Sequence, residues 1–148
     1  MLHVFYAFVL MAASVHSADR SALAAVHRIY VDSMGHDEEA VRFRDLLRKD
    51  LAAAGFFVVD DPRHTDATLS GFVSIRVRHG YAKAYSTVTL TTADGRLIWG
   101  GDFGPAFRQS LSSDTVMLRS KDIAMRLKED RETAVRTAAL ASRDRVAR

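Results

Sequence analysis

Two runs flanking His79-Gly80 alternate apolar and polar residues with a period of two. Ala67, Leu69, Gly71, Val73, Ile75 and Val77 share one side of the first run, and Ala82, Ala84, Ser86, Val88 and Leu90 share one side of the second. That period belongs to β-strands with one buried face. A turn at His79-Gly80 pairs Val77 with Ala82, Ile75 with Ala84 and Leu69 with Leu90, so the two inward sides coincide. A slip of one residue would turn one of them outward, which fixes the register. A second hairpin is predicted at Asp94-Gly95, the favoured two-residue turn, setting Leu90 opposite Trp99 and Thr92 opposite Leu97 on the core side. Trp99 is therefore expected to fill the core and not to serve as a binding platform.

Upstream of these strands, "VHRIYVD" predicts a short first strand, with Val26, Ile29, Tyr30 and Val31 as its apolar residues. Asp37 is placed to cap a helix whose first turn carries Glu38 and Glu39, where carboxylates favour the helix dipole. Ala40, Phe43, Leu47, Leu51 and Ala54 then recur at helical spacing, and Gly55 supplies the left-handed stop. "FFVVD" has no polar residue before Asp60 and predicts a strand buried on both faces, joined to the first by a right-handed crossover. "GGDFGPAFRQSLSS" is expected to be a loop. From Asp114 a second helix is predicted, with Met117, Ile123, Ala124 and Leu127 as its apolar stripe. The order β-α-β-β-β-α implies an α/β (α+β) fold, a single-layer mixed sheet packed by two helices. One domain would span residues 19–130, with 131–148 as a helical extension or tail.

The composition changes this picture little. With 148 residues, 48% apolar and 26% charged, the chain suits one globular domain. Its 21 basic and 18 acidic residues give a mixed surface, so no nucleic acid is implied. A weaker expectation assigns binding of an anionic polymer or nucleic acid to the basic stretch from Arg119 to Arg148. The apolar run from Val4 to Ala13 is too short to span a bilayer and suits a secretory signal over residues 1–18, with Val15 and Ser17 preceding Ala18. A periplasmic or secreted location follows from that signal. No membrane span is expected, and the absence of cysteine removes the thiol that a lipid anchor would need.

Candidate chemistry is concentrated in "DDPRHTD", where Asp60, Asp61, His64 and Asp66 lie within seven positions. Metal binding would require His and carboxylates to converge on one ion. Asp32, His36, Asp60, Asp61 and His64 are the one constellation to test as such a site, and a small metal-dependent hydrolase near His36, Asp60 and His64 is the alternative reading. The favoured reading is structural: Asp60-Asp61-Pro62 turns the chain, and Asp66 caps the entry into the next strand. No G-x-S-x-G elbow and no cysteine nucleophile is present. No catalytic residue, metal or cofactor is therefore expected. On the outward side of the first hairpin, Phe72, Arg76, Lys83 and Tyr85 form a candidate protein-contact surface.

Between Val26 and Asp102, the segments "HRIYV", "EEAVRFRDLLRKDLAAAG", "FFVVDD", "TDATLSGFVSIRV" and "STVTLTTADGRLIWGGD" carry a resemblance. The chain resembles the periplasmic domain of curli-secretion lipoproteins and the amino-terminal domain of the Tol-system periplasmic protein. The matching positions are Asp66, Ala67, Leu69 and Gly71, then Asp94, Gly95 and Trp99. The resemblance implies a non-enzymatic α/β module of the cell envelope, with envelope proteins or copies of itself as partners. Curli-type members carry a lipidated cysteine after the signal; this chain has none, so membrane anchoring is not implied.

Overall fold

The computed structural model describes residues 20–78, 81–107 and 115–146. The expected signal segment 1–18 and the turn at His79-Gly80 lie outside the described residues. A short helix α1 (Arg20–Ala24) leads into β1 (Arg28–Val31), α2 (Glu38–Ala53) and β2 (Phe57–Val59). A 3-10 turn (Pro62–His64) precedes β3 (Ala67–Arg78), β4 (Tyr81–Thr92), β5 (Leu97–Phe107) and the long helix α3 (Thr115–Val146). The strands form one mixed sheet in the order β2-β1-β3-β4-β5. β1 runs parallel to both β2 and β3, and the β3-β4 and β4-β5 pairs are antiparallel. The α+β class is as expected; α1 is additional, and β5 is the strand that the Asp94-Gly95 hairpin predicts.

Local chemistry explains α2 at both ends. The Asp37 carboxylate accepts the Ala40 N–H at 2.7 Å, satisfying one of the amides the first turn leaves open. At the other end Gly55 takes a φ of 95°, letting its N–H reach the Ala52 carbonyl and the Phe56 N–H reach that of Leu51, each at 3.1 Å. This paired closure is the Schellman motif, and the buried side chains of Phe56 and Leu51 join the same core.

The core lies on one side of the sheet. Ile29, Leu69, Val88 and Leu90 are fully buried there beneath Phe43 and Leu47 of α2 and Ile123 and Leu127 of α3. Leu69 pairs with Leu90, Ile75 with Ala84 and Val77 with Ala82, as the alternation requires. Trp99 stands opposite Leu90 and is buried, its indole against the Phe103 ring at 6.1 Å between centroids. Side-chain hydrogen bonds also tie α3 to its neighbours. The buried Ser120 hydroxyl donates to Asp50 of α2 at 2.6 Å, and the buried Arg119 guanidinium donates to the carbonyls of Ala84 and Gly104.

Four expectations are corrected. β2 is an edge strand, not a strand buried on both faces: Phe57 is 70% exposed and Phe56 enters the core in its place. The Asp94-Gly95 turn is a three-residue loop in which Thr92 bonds Gly95 and Arg96 and Gly95 is left-handed at φ 81°. A bulge follows, so Leu97 pairs with Thr91, not Thr92, and faces away from the helices. Part of the expected glycine-rich loop continues β5 as far as Phe107. Gly104 and Pro105 fall at a second irregularity opposite Tyr85, on an edge strand where a proline removes no needed donor. Met117 is 47% exposed, and the inward stripe of α3 instead runs through Val116, Ser120, Ile123, Leu127 and Ala134.

Candidate functional site

Both packed helices cover the same side of the sheet, and its opposite side carries the polar positions of the alternation. Thr68, Ser70, Phe72 and Ser74 of β3 pair there with Thr91, Thr89, Thr87 and Tyr85 of β4. The side chains of paired residues point the same way, so the register gathers Phe72 and Tyr85 on this one face. Phe72 is 54% exposed and Tyr85 half-buried; the side chains of Arg76 and Lys83 lie outside the described residues. Around the Phe72 ring the surface is a hydroxyl ladder. Ser70 and Thr89 share a hydrogen bond at 3.3 Å, and Thr87 donates to Asp102 of β5. An exposed aromatic ring rimmed by hydroxyls can bury apolar area against a protein while the rim exchanges hydrogen bonds with it.

The other polar constellation stays dispersed. Among the described residues, no three of His, Asp and Glu converge closely enough to hold a metal ion. Asp60 is engaged by Arg48 of α2. Asp61 caps the 3-10 turn: it accepts the Arg63 guanidinium at 2.9 Å, the Arg63 N–H at 2.9 Å and faces His64 Nδ1 at 3.1 Å. Those bonds, that of the Arg63 side chain first, hold its carboxyl down to a pKa of about 2. Asp61 thus works as a turn-closing anion.

Asp66 does more than cap the entry into β3. Its carboxylate accepts the backbone N–H groups of His27 at 2.9 Å and Arg28 at 2.7 Å, and the Arg28 guanidinium at 2.9 Å. Partial burial opposes its ionisation, but these donors together hold its pKa below the usual carboxylate range. The effect is to fasten the start of β1 to the start of β3. Thr65 completes the fastening by accepting the Tyr30 N–H at 3.0 Å.

Three basic residues of α3 are engaged with the rest of the fold. Arg119 is buried, and its guanidinium pairs with Asp122 at 3.0 Å. Arg126 lies over the Phe103 ring at 5.9 Å, and Arg131 lies over Phe56 at 5.4 Å while donating to His27 Nδ1 at 2.7 Å. Residues that hold helix to sheet in this way are not arrayed for a polyanion. No described helix is long and apolar enough to cross a membrane.

β3 far outruns β1, an overhang that neither alternation nor capping residues announce. β1 pairs with β3 only from Ala67 to Leu69, whereas β3 continues to Arg78. The signal was available in the lengths, four apolar-rich residues in "RIYV" against twelve alternating ones from Ala67.

No protein-family profile matches the sequence, and no curated protein does. The fold does match solved structures. The chain is similar to PelC from Paraburkholderia phytofirmans, solved as a dodecamer, with 18% identity over 67% of this chain and 87% of that one, at a TM-score of 0.51. A point variant of the same dodecamer matches with 16% identity over 76% of this chain and 87% of that one, at a TM-score of 0.50. At such identities the likeness is one of fold, and it does not confirm the resemblance to curli-secretion and Tol modules.

Proposed function

We propose that this chain is an exported, periplasmic assembly module of the bacterial envelope, acting by protein contact without catalysis, with copies of itself among its partners. The observation that carries the proposal is the sheet face that no described helix covers, where Phe72 stands exposed beside Tyr85 within a ladder of hydroxyls. A face of this kind contributes little to the stability of the chain that bears it and is suited to being covered by another. The similarity in fold to PelC, which is dodecameric, supports self-association as the form the contact takes. The secretory character of the first residues supports the compartment.

Sedimentation of the chain across a concentration series tests the reading. Self-association is expected, and Phe72→Ser is expected to weaken it by about tenfold or more, a loss typical of an aromatic anchor. A chain that stays monomeric at every concentration and pulls down no envelope protein would overturn the proposal. Fractionation of a bacterial host expressing the chain tests the compartment, with cytoplasmic retention as the contrary result.

A further inference from the structure

The overhang of β3 leaves main-chain groups open. In an antiparallel pair, the N–H and C=O of a residue point together to one side of the strand, and the side alternates along the chain. The Leu69 carbonyl accepts Asp32 N–H at 2.8 Å, so Leu69 points away from β4. Thr68 and Ser70 carbonyls point the other way, toward the hydroxyls of Thr91 and Thr89 on β4. By alternation Gly71, Val73 and Ile75 point away from β4 as well. β1 has ended by then, and no hydrogen bond to their backbone from outside the β3-β4 pair occurs among the described residues. The stretch holds no proline, and strand edges of this kind are templates for another strand.

We propose that the open edge of β3 from Gly71 to Ile75 is a strand-addition site, and that its occupant is the same edge of a second copy, paired antiparallel about a two-fold axis through Val73. This deepens the self-assembly proposed above and rests on it. The edge is self-complementary in that register: Val73 meets Val73, Gly71 meets Ile75 and Phe72 meets Ser74 of the second copy. Because only the outward residues can exchange main-chain bonds, the three pairs would make about six of them, two per pair. Gly71 presents no side chain beside the Ile75 of the second copy, and Phe72 comes to lie over a small serine. The two sheets merge into one, extending the hydroxyl-lined face with Phe72 near its centre.

Hydrogen exchange of the full chain, with the amides resolved individually, tests the site. The amides of Val73 and Ile75 are expected to be protected at high concentration and to lose protection on dilution, while those of Phe72 and Ser74, bonded within the sheet, stay protected throughout. Ile75→Pro provides a second measurement. It removes an outward N–H that the lone chain does not use, so the far-ultraviolet circular dichroism should persist while the association constant drops by at least about tenfold. Fast exchange at Val73 and Ile75 in an associated protein would overturn this site and leave self-assembly standing. A chain that is monomeric at every concentration would overturn both.

Discussion

The indole Nε1 of Trp99 donates to the carboxylate of Asp130 at 2.8 Å, joining the edge strand β5 to the middle of α3. Trp99 and Ile98 are both buried because the bulge after the three-residue loop turns two successive side chains toward the helices. The two residues also wall a hollow of about 280 Å³ shared with Leu23 of α1 and Ala134 of α3. The bond therefore anchors the junction of α1, β5 and α3. Asp130→Ala takes away the acceptor of a partly buried indole N–H and is expected to destabilise the fold by about 1 kcal/mol. Urea unfolding followed by Trp99 fluorescence reads both the midpoint and the local environment. Asp130→Asn keeps an acceptor oxygen and should recover much of the loss.

Asp66 links the pH dependence of stability to the β1-β3 junction. Its pKa is lower in the folded chain than in the unfolded one, so its contribution is full above the unfolded value of about 3.9 and is lost as pH falls through the lower folded value. Asp66→Asn should accordingly be less stable than the parent at pH 7, by about 1–2 kcal/mol. The gap should close as the medium is acidified below the unfolded pKa, where the parent carboxyl becomes neutral too. Denaturant midpoints of both proteins between neutral pH and pH 2 would show this, and a gap that stays constant would mean that the charge of Asp66 contributes nothing.

Much of this architecture was legible wherever local chemistry or parity decides the outcome. Asp37 and Gly55 announce the ends of α2 because an N-cap and a left-handed stop are properties of single residues. The pairing of Leu69 with Leu90 follows from the need to bury both apolar sides at once. Where the two principles are silent, the expectation failed. An apolar run such as "FFVV" cannot distinguish a central strand from an edge, because that depends on which strand lies beyond it. At Asp94-Gly95 one additional loop residue sufficed to move Leu97 to the far face, since side chains alternate with every residue. Parity likewise gathered Phe72 and Tyr85 correctly on one face, whereas the placement of His36 relative to Asp60 and His64 depends on loops that no spacing rule describes.

Arg119 shows what an apolar-stripe reading of α3 overlooks. A buried guanidinium held by two carbonyls and Asp122 is the polar contact that seats α3 on the β4-β5 pair. Arg119→Ala would leave the Ala84 and Gly104 carbonyls without this donor, and about 2–3 kcal/mol of stability is expected to go with it. Arg119→Lys should recover only part of that, because one ammonium cannot reproduce the fork that spans two carbonyls and a carboxylate. Thermal unfolding of the two variants separates charge from geometry, and equal midpoints for Lys and Arg would sink the argument.

Two glycines of the sheet offer a test that needs no partner molecule. A Cβ on Gly71 would lie 2.1 Å from the Thr87 carbonyl oxygen, a backbone atom that cannot swing aside. A Cβ on Gly101 would meet nothing within 4 Å. Gly71→Ala must therefore push β3 away from β4 at this point, and a cost above about 2 kcal/mol is expected. Gly101→Ala sits in open space and should stay within about 0.5 kcal/mol of the parent. For a chain of this size each kcal/mol moves the melting temperature by roughly 2–4 °C, so differential scanning calorimetry resolves the pair. Because the distortion from Gly71→Ala falls at the start of the overhanging edge, that variant should also associate more weakly than Gly101→Ala. Equal melting temperatures would mean that the close approach of β3 and β4 at Gly71 is not what holds the hairpin in register.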